Sequence, residues 1–136
     1  IGRSFYMGVD PIMEQNNAIY REQSRLIQEF AEKSDCVIVG RSADYILREK
    51  HPFRLFVYAE MEHKMERCKK RAPESEHFTD KELKRHILDV DKRRARYYQF
   101  FTGQTWGDRL NYDLCINTSN YDIKELVHAI AHLVEA

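Results

Sequence analysis

The chain has 136 residues, and its 22 Lys and Arg are balanced by 22 Asp and Glu, so the formal charge is zero with His neutral. That balance excludes global polyelectrolyte behaviour. A hydrophobic share of 43%, a charged share of 32% and a mean hydropathy of −0.67 argue against a membrane span or a disordered tail.

A length of this order points to one compact domain, and no window offers the roughly 18 to 20 apolar residues that a bilayer crossing needs. The sequence opens on Ile1 and carries neither a secretory nor a transit pattern. Cys36, Cys68 and Cys115 are an odd number without Cys-x-x-Cys spacing, which fits no disulfide framework and no four-Cys zinc site. A cytoplasmic protein is therefore expected. Cys36 and Cys115 lie in apolar runs, where a thiol is expected to be a buried, inert hydrophobe.

In chain order, Ala18, Leu26, Ile27 and Phe30 mark a first helix, and Cys36-Val37-Ile38-Val39 reads as a strand covered on both faces. Gly40-Arg41-Ser42 follows at its carboxyl end, just before the helical Tyr45-Ile46-Leu47. Ligands of open α/β sheets bind at such ends, and the Arg41 fork matches phosphate or carboxylate oxygens. Pairing of Arg41 with a surface carboxylate is the competing reading.

Leu55 to Ala59 is the second expected strand. From about Glu62 a helix sets Lys64, Arg67, Lys70 and Arg71 on one face, a stripe that can clamp polyphosphate or simply be solvated. Thr79 and Glu82 have capping-box spacing, which predicts a helix from there to about Tyr98. Within it, Lys84 to Arg96 holds six cations and two carboxylates, 6 − 2 = +4, and that asymmetry asks for an anionic partner. Asp91 and Arg94 share a face there, so they can grip a ligand or form an intrahelical ion pair.

Phe100 to Asp108, with Gly103 and Gly107, is expected to break the helix and return the chain to a third strand, Leu114 to Asn117. Trp106 and the nearby aromatics Tyr97, Tyr98, Phe100 and Phe101 read as packing, with a base-stacking platform as the alternative. Leu126, Val127, Ile130 and Leu133 mark a last helix. His128 and His132 on it lack the further ligands of a zinc site. Alternating strands and helices predict an α/β fold built on a parallel sheet with helices on both faces.

Four blocks then carry a resemblance: Cys36 to Leu47, Phe56 to Ala59, Asp91 to Arg94, and Thr102 to Asp108 continued through Tyr112 to Asn117. In order and spacing they resemble the bacterial cytidylate kinase-like proteins. The resemblance implies a nucleoside monophosphate kinase fold of the P-loop class, with a small lid at about Cys68 to Phe78. It implies transfer of the ATP γ-phosphoryl group to CMP or dCMP with Mg²⁺. Carried over by position, Gly40, Arg41 and Ser42 would hold the acceptor phosphate, and Asp91 with Arg94 would grip the acceptor nucleotide. Arg67 and Arg94 would stabilise the transferring phosphoryl group, and Arg67, Arg71 and Arg93 would contact nucleotide phosphate.

Two departures stand out. Gly2, Gly8, Gly40, Gly103 and Gly107 never form the Gly-x-x-x-x-Gly-Lys-Ser/Thr phosphate loop, and Val39 replaces the acidic residue that precedes Gly-Arg in typical members. The expectation is a C-terminal part of a kinase whose phosphate loop lies upstream. The alternative is a non-catalytic nucleotide- or nucleic-acid-binding protein that uses the basic helix 84–96.

Overall fold

The computed structural model describes residues 11–72 and 77–135. They fall into two compact units divided between Pro52 and Phe53.

In the first unit, α1 (Pro11–Lys33) is followed by an extended segment, the one-turn α2 (Ala43–Ile46) and a 3-10 turn at Arg48–Lys50. Ile27 of α1 is buried against Ala43 and Leu47, with Ala31, Ile38 and Ile46 closing the cluster. The solvent side of α1 carries ladders of opposite charge, Arg25 with Glu22 at 2.6 Å and Glu29 at 3.2 Å. Exposed pairs of this kind contribute only tenths of a kcal/mol each.

The strand expected at Cys36 to Val39 is not formed. Ile38 turns into the core, while Val37 and Val39 are 95% and 88% exposed and Cys36 is exposed too. A continuous apolar run becomes a strand only when a neighbour accepts its N–H and C=O groups. Among the described residues no segment pairs with this one, so the local pattern is present without the ladder. For the same reason Cys36 is not the buried thiol its surroundings suggested.

In the second unit, β1 (Leu55–Tyr58) and β2 (Leu114–Asn117) pair in parallel, in the register Leu55 to Leu114 through Tyr58 to Asn117. Between them lie α3 (Met61–Arg71) and α4 (Asp80–Thr102), and α5 (Ile123–Glu135) follows β2. Among the described residues this two-stranded parallel sheet with five helices is the observed form of the α/β architecture.

Asp113 fixes where the ladder starts. Its Oδ2 accepts from the Arg54 backbone N–H at 2.7 Å and from Arg54 Nε at 3.2 Å, and its own N–H donates to Arg54 O at 2.8 Å. The Arg54 side-chain and backbone donors together hold the Asp113 carboxyl below its usual range. A depressed carboxyl stabilises the fold above the unfolded value of about 3.9 and loses that contribution as pH falls. Asp113→Asn is therefore expected to lower Tm at pH 7, with the gap to wild type closing as melting is followed down through pH 4 to pH 2. A gap that persists at pH 2 would contradict the ion-pair account.

The α4 start follows its sequence signal. Thr79 Oγ1 accepts from the Glu82 N–H at 3.2 Å, and Glu82 accepts from the Thr79 N–H at 2.9 Å. Its end does not stop at Tyr98: Phe100, Phe101 and Thr102 continue the helix. Thr102 Oγ1 donates back to Tyr98 O at 2.6 Å and accepts from the Gln104 N–H at 3.0 Å, and Gly103 then ends the helix in the left-handed conformation, φ 70°.

Candidate functional site

Gly40, Arg41 and Ser42 form an unusual turn in the first unit. All three adopt the left-handed conformation, at φ 70°, 56° and 56°. Only glycine does so freely, and each L-residue held there costs about 1–2 kcal/mol. The Ala43 N–H donates to Gly40 O at 3.2 Å, and Ser42 O accepts from Tyr45 and Ile46. Ser42 is only 4% exposed, yet its Oγ is buried with no hydrogen-bond partner. Backbone strain and orphaned buried polar groups both cluster at functional segments, which makes this turn a candidate.

Arg41 borders an open hollow of about 400 Å³ whose other walls include Leu26, Phe30, Val37 and Val39. It is an apolar surface with one guanidinium at its rim. Because α2 is a single turn, a helix dipole adds little here, and Arg41 is the charged group on the hollow.

In the second unit the carboxyl ends of β1 and β2 are tied together by side chains. Thr118, at 2% exposure, donates its N–H to Tyr58 O at 2.9 Å, and Ser119 Oγ accepts from the Glu60 N–H at 2.8 Å. Ser119 Oγ in turn donates to Asn117 Oδ1 at 2.6 Å. Arg67, projecting from α3, donates from Nη1 to Thr118 Oγ1 at 2.8 Å and from Nη2 to Thr118 O at 2.7 Å.

One turn earlier on α3, Lys64 Nζ meets Asp91 Oδ2 at 2.7 Å, and Arg94 Nη1 meets Asp91 Oδ1 at 3.3 Å. Asp91 thus gathers two cations from two helices, and the three groups together carry net charge +1, from 2 − 1. Ammonium and guanidinium both keep donors beyond those used on the carboxylate, which suits them to phosphate oxygens.

The residues singled out in the sequence therefore separate into groups. Asp91 and Arg94 meet each other, Arg67 meets the end of β2, and Arg71 and Arg93 are exposed on α3 and α4. Gly40, Arg41 and Ser42 belong to the first unit. Of the segment read as a lid, Cys68 to Arg71 continue α3, and residues 73–76 lie outside the described residues. Lys64 was visible only as one member of a basic stripe, and its partner comes from 27 residues away. Thr118 carried no signal at all.

The aromatics pack among themselves. The Phe56 ring lies edge-on to Trp106, with centroids 5.2 Å apart, and 4.9 Å from Tyr112. Tyr98 is buried, and its hydroxyl donates to Gln104 Oε1 at 2.8 Å.

Both Asp91 oxygens are engaged by cations, and among the described residues no group of three or more His, Cys, Asp or Glu could hold a metal ion. Mg²⁺ is commonly held by one or two carboxylates together with substrate phosphates, and no such carboxylate is assigned among the described residues. Among them, too, no helix is long and apolar enough to cross a membrane.

Residues 2–120 match the cytidylate kinase-like family. The chain is also similar to the crystal structure of an uncharacterized protein from Eubacterium ventriosum ATCC 27560, at 28% identity and a TM-score of 0.77. That similarity covers 93% of this chain and 68% of the other. No curated protein matches.

Proposed function

Since the chain belongs to the cytidylate kinase-like family, we propose that it serves phosphoryl transfer from ATP to a pyrimidine nucleoside monophosphate, CMP or dCMP, on a P-loop-type kinase fold. The observation that supports this reading best is the Lys64–Asp91–Arg94 cluster, close in sequence on α3 to Arg67 at the carboxyl end of the strands.

Phosphoryl transfer asks the protein for little covalent chemistry. It asks for positioning and for cancellation of the charge on the equatorial oxygens. In this reading Asp91 fixes the Lys64 and Arg94 side chains before substrate arrives, which lowers the cost of ordering two long side chains. The CMP phosphate is already ionised at neutral pH, so no strong general base is needed. In the first unit, Arg41 is assigned to an acceptor phosphate on its own account, through its planar fork. ATP brings the transferred group, and Mg²⁺, when bound, offsets phosphate charge. No residue described here is assigned to the metal.

Calorimetric titration with CMP tests the acceptor assignment. Saturable binding is expected to weaken by about tenfold or more in Arg41→Ala, in line with the loss of a charge-assisted bidentate contact. Unchanged CMP affinity in that variant would return Arg41 to the role of a surface ion-pairing residue.

A further inference from the structure

We propose that Thr118 is the positioning residue that presents Arg67 to substrate phosphate; this rests on the reading of Arg67 as a phosphate-binding group. Thr118 is buried, at 2% exposure, and its N–H, Oγ1 and carbonyl oxygen all make hydrogen bonds. Its N–H and its Oγ1 both donate to Tyr58 O, at 2.9 and 3.1 Å. The same Oγ1 accepts from Arg67 Nη1, and the Thr118 carbonyl accepts from Nη2.

The hydroxyl is thus a relay between the last residue of β1 and the guanidinium. Its proton points at Tyr58, so its lone pair is aimed at Arg67. A guanidinium has five N–H donors in a rigid plane. Two are spent on Thr118, and that fixes the direction of the rest. A long side chain that would otherwise sample many rotamers is held in one before substrate binds. A clamp serving only to tie α3 to the sheet would need the contact but not the direction, and the two roles separate by experiment.

The full-length protein is compared with Thr118→Val, Thr118→Ser, Arg67→Ala and the double variant Thr118→Val/Arg67→Ala. Inorganic pyrophosphate binding is read by calorimetry, and CDP formation is read as kcat and KM. Thr118→Val is expected to weaken pyrophosphate binding and lower kcat by about tenfold each, with KM for CMP within about twofold. Thr118→Ser keeps the hydroxyl and restores both. In the Arg67→Ala background, Thr118→Val causes no further loss.

Normal pyrophosphate binding and kcat in a folded Thr118→Val protein would overturn the proposal, as would additive losses in the double variant. Should Thr118→Val fail to fold, Arg67→Lys decides: it keeps the charge but not the two-pronged hold, and wild-type behaviour there overturns the proposal. Coupled effects on pyrophosphate binding without any CDP formation would sustain the positioning role and defeat the kinase reading. CDP formation without coupling would do the reverse, and a wild-type protein that neither binds pyrophosphate nor forms CDP would defeat both.

Discussion

Arg94→Ala is expected to lower kcat/KM for CMP phosphorylation by roughly 10²- to 10³-fold, about 3–4 kcal/mol of transition-state stabilisation, with little change in Tm. The two halves of that expectation have different origins. The Arg94 side chain is 64% exposed, and its bond to Asp91 is a 3.3 Å contact within one helix. Such a pair contributes under about 0.5 kcal/mol to folding, so removing it leaves the fold nearly untouched. In the proposed role, where it meets the negative charge that develops on the transferring phosphoryl group, the same guanidinium is worth far more. If Arg94 is only a solvated helix pair, steady-state kinetics will find kcat/KM within about twofold of wild type.

The largest expected loss of stability lies at Gly107. Its φ is 82°, and a Cβ placed there would meet the Phe56 ring at 3.1 and 3.3 Å. The Phe56 ring has little room to give, since Trp106 and Tyr112 flank it at centroid distances of 5.2 and 4.9 Å. Gly107→Val combines a left-handed penalty of about 1–2 kcal/mol with overpacking of about 1–3 kcal/mol. At roughly 3 °C per kcal/mol for a chain of this size, Tm should fall by about 10 °C. Gly103, at φ 70°, has open space where its Cβ would be, so Gly103→Val should cost only the backbone penalty. Equal Tm losses at the two glycines would show that the aromatic packing is not what makes Gly107 necessary.

How much of this could be seen in the sequence depends on how local each cause is. The α4 start was legible because Thr79 and Glu82 are three residues apart and satisfy each other. The strands β1 and β2 were legible because their short apolar runs are bounded by breakers and do find each other. Cys36 to Val39 has the same local character and no ladder among the described residues, so composition alone overstated it. The last turn of α4 was missed because Thr102 favours helix here through its bond to Tyr98 O, a use of threonine that composition does not announce.

The site divides along the same line. Asp91 and Arg94 stood out by their spacing, and Gly40-Arg41-Ser42 by its place between an apolar run and a helix. That Arg41 and Ser42 would share its left-handed conformation was not visible, since neither residue type favours it. Lys64 and Thr118 depend on partners 27 and 51 residues away, which only the folded chain supplies.

The central claim is that these cations serve phosphoryl transfer to a nucleoside monophosphate, and a coupled assay on the full-length protein tests it most directly. ADP formation is expected to depend on CMP and to be matched mole for mole by CDP. ADP formation that is indifferent to CMP would contradict it, as would no turnover together with salt-sensitive binding of single-stranded nucleic acid to the basic face of α4.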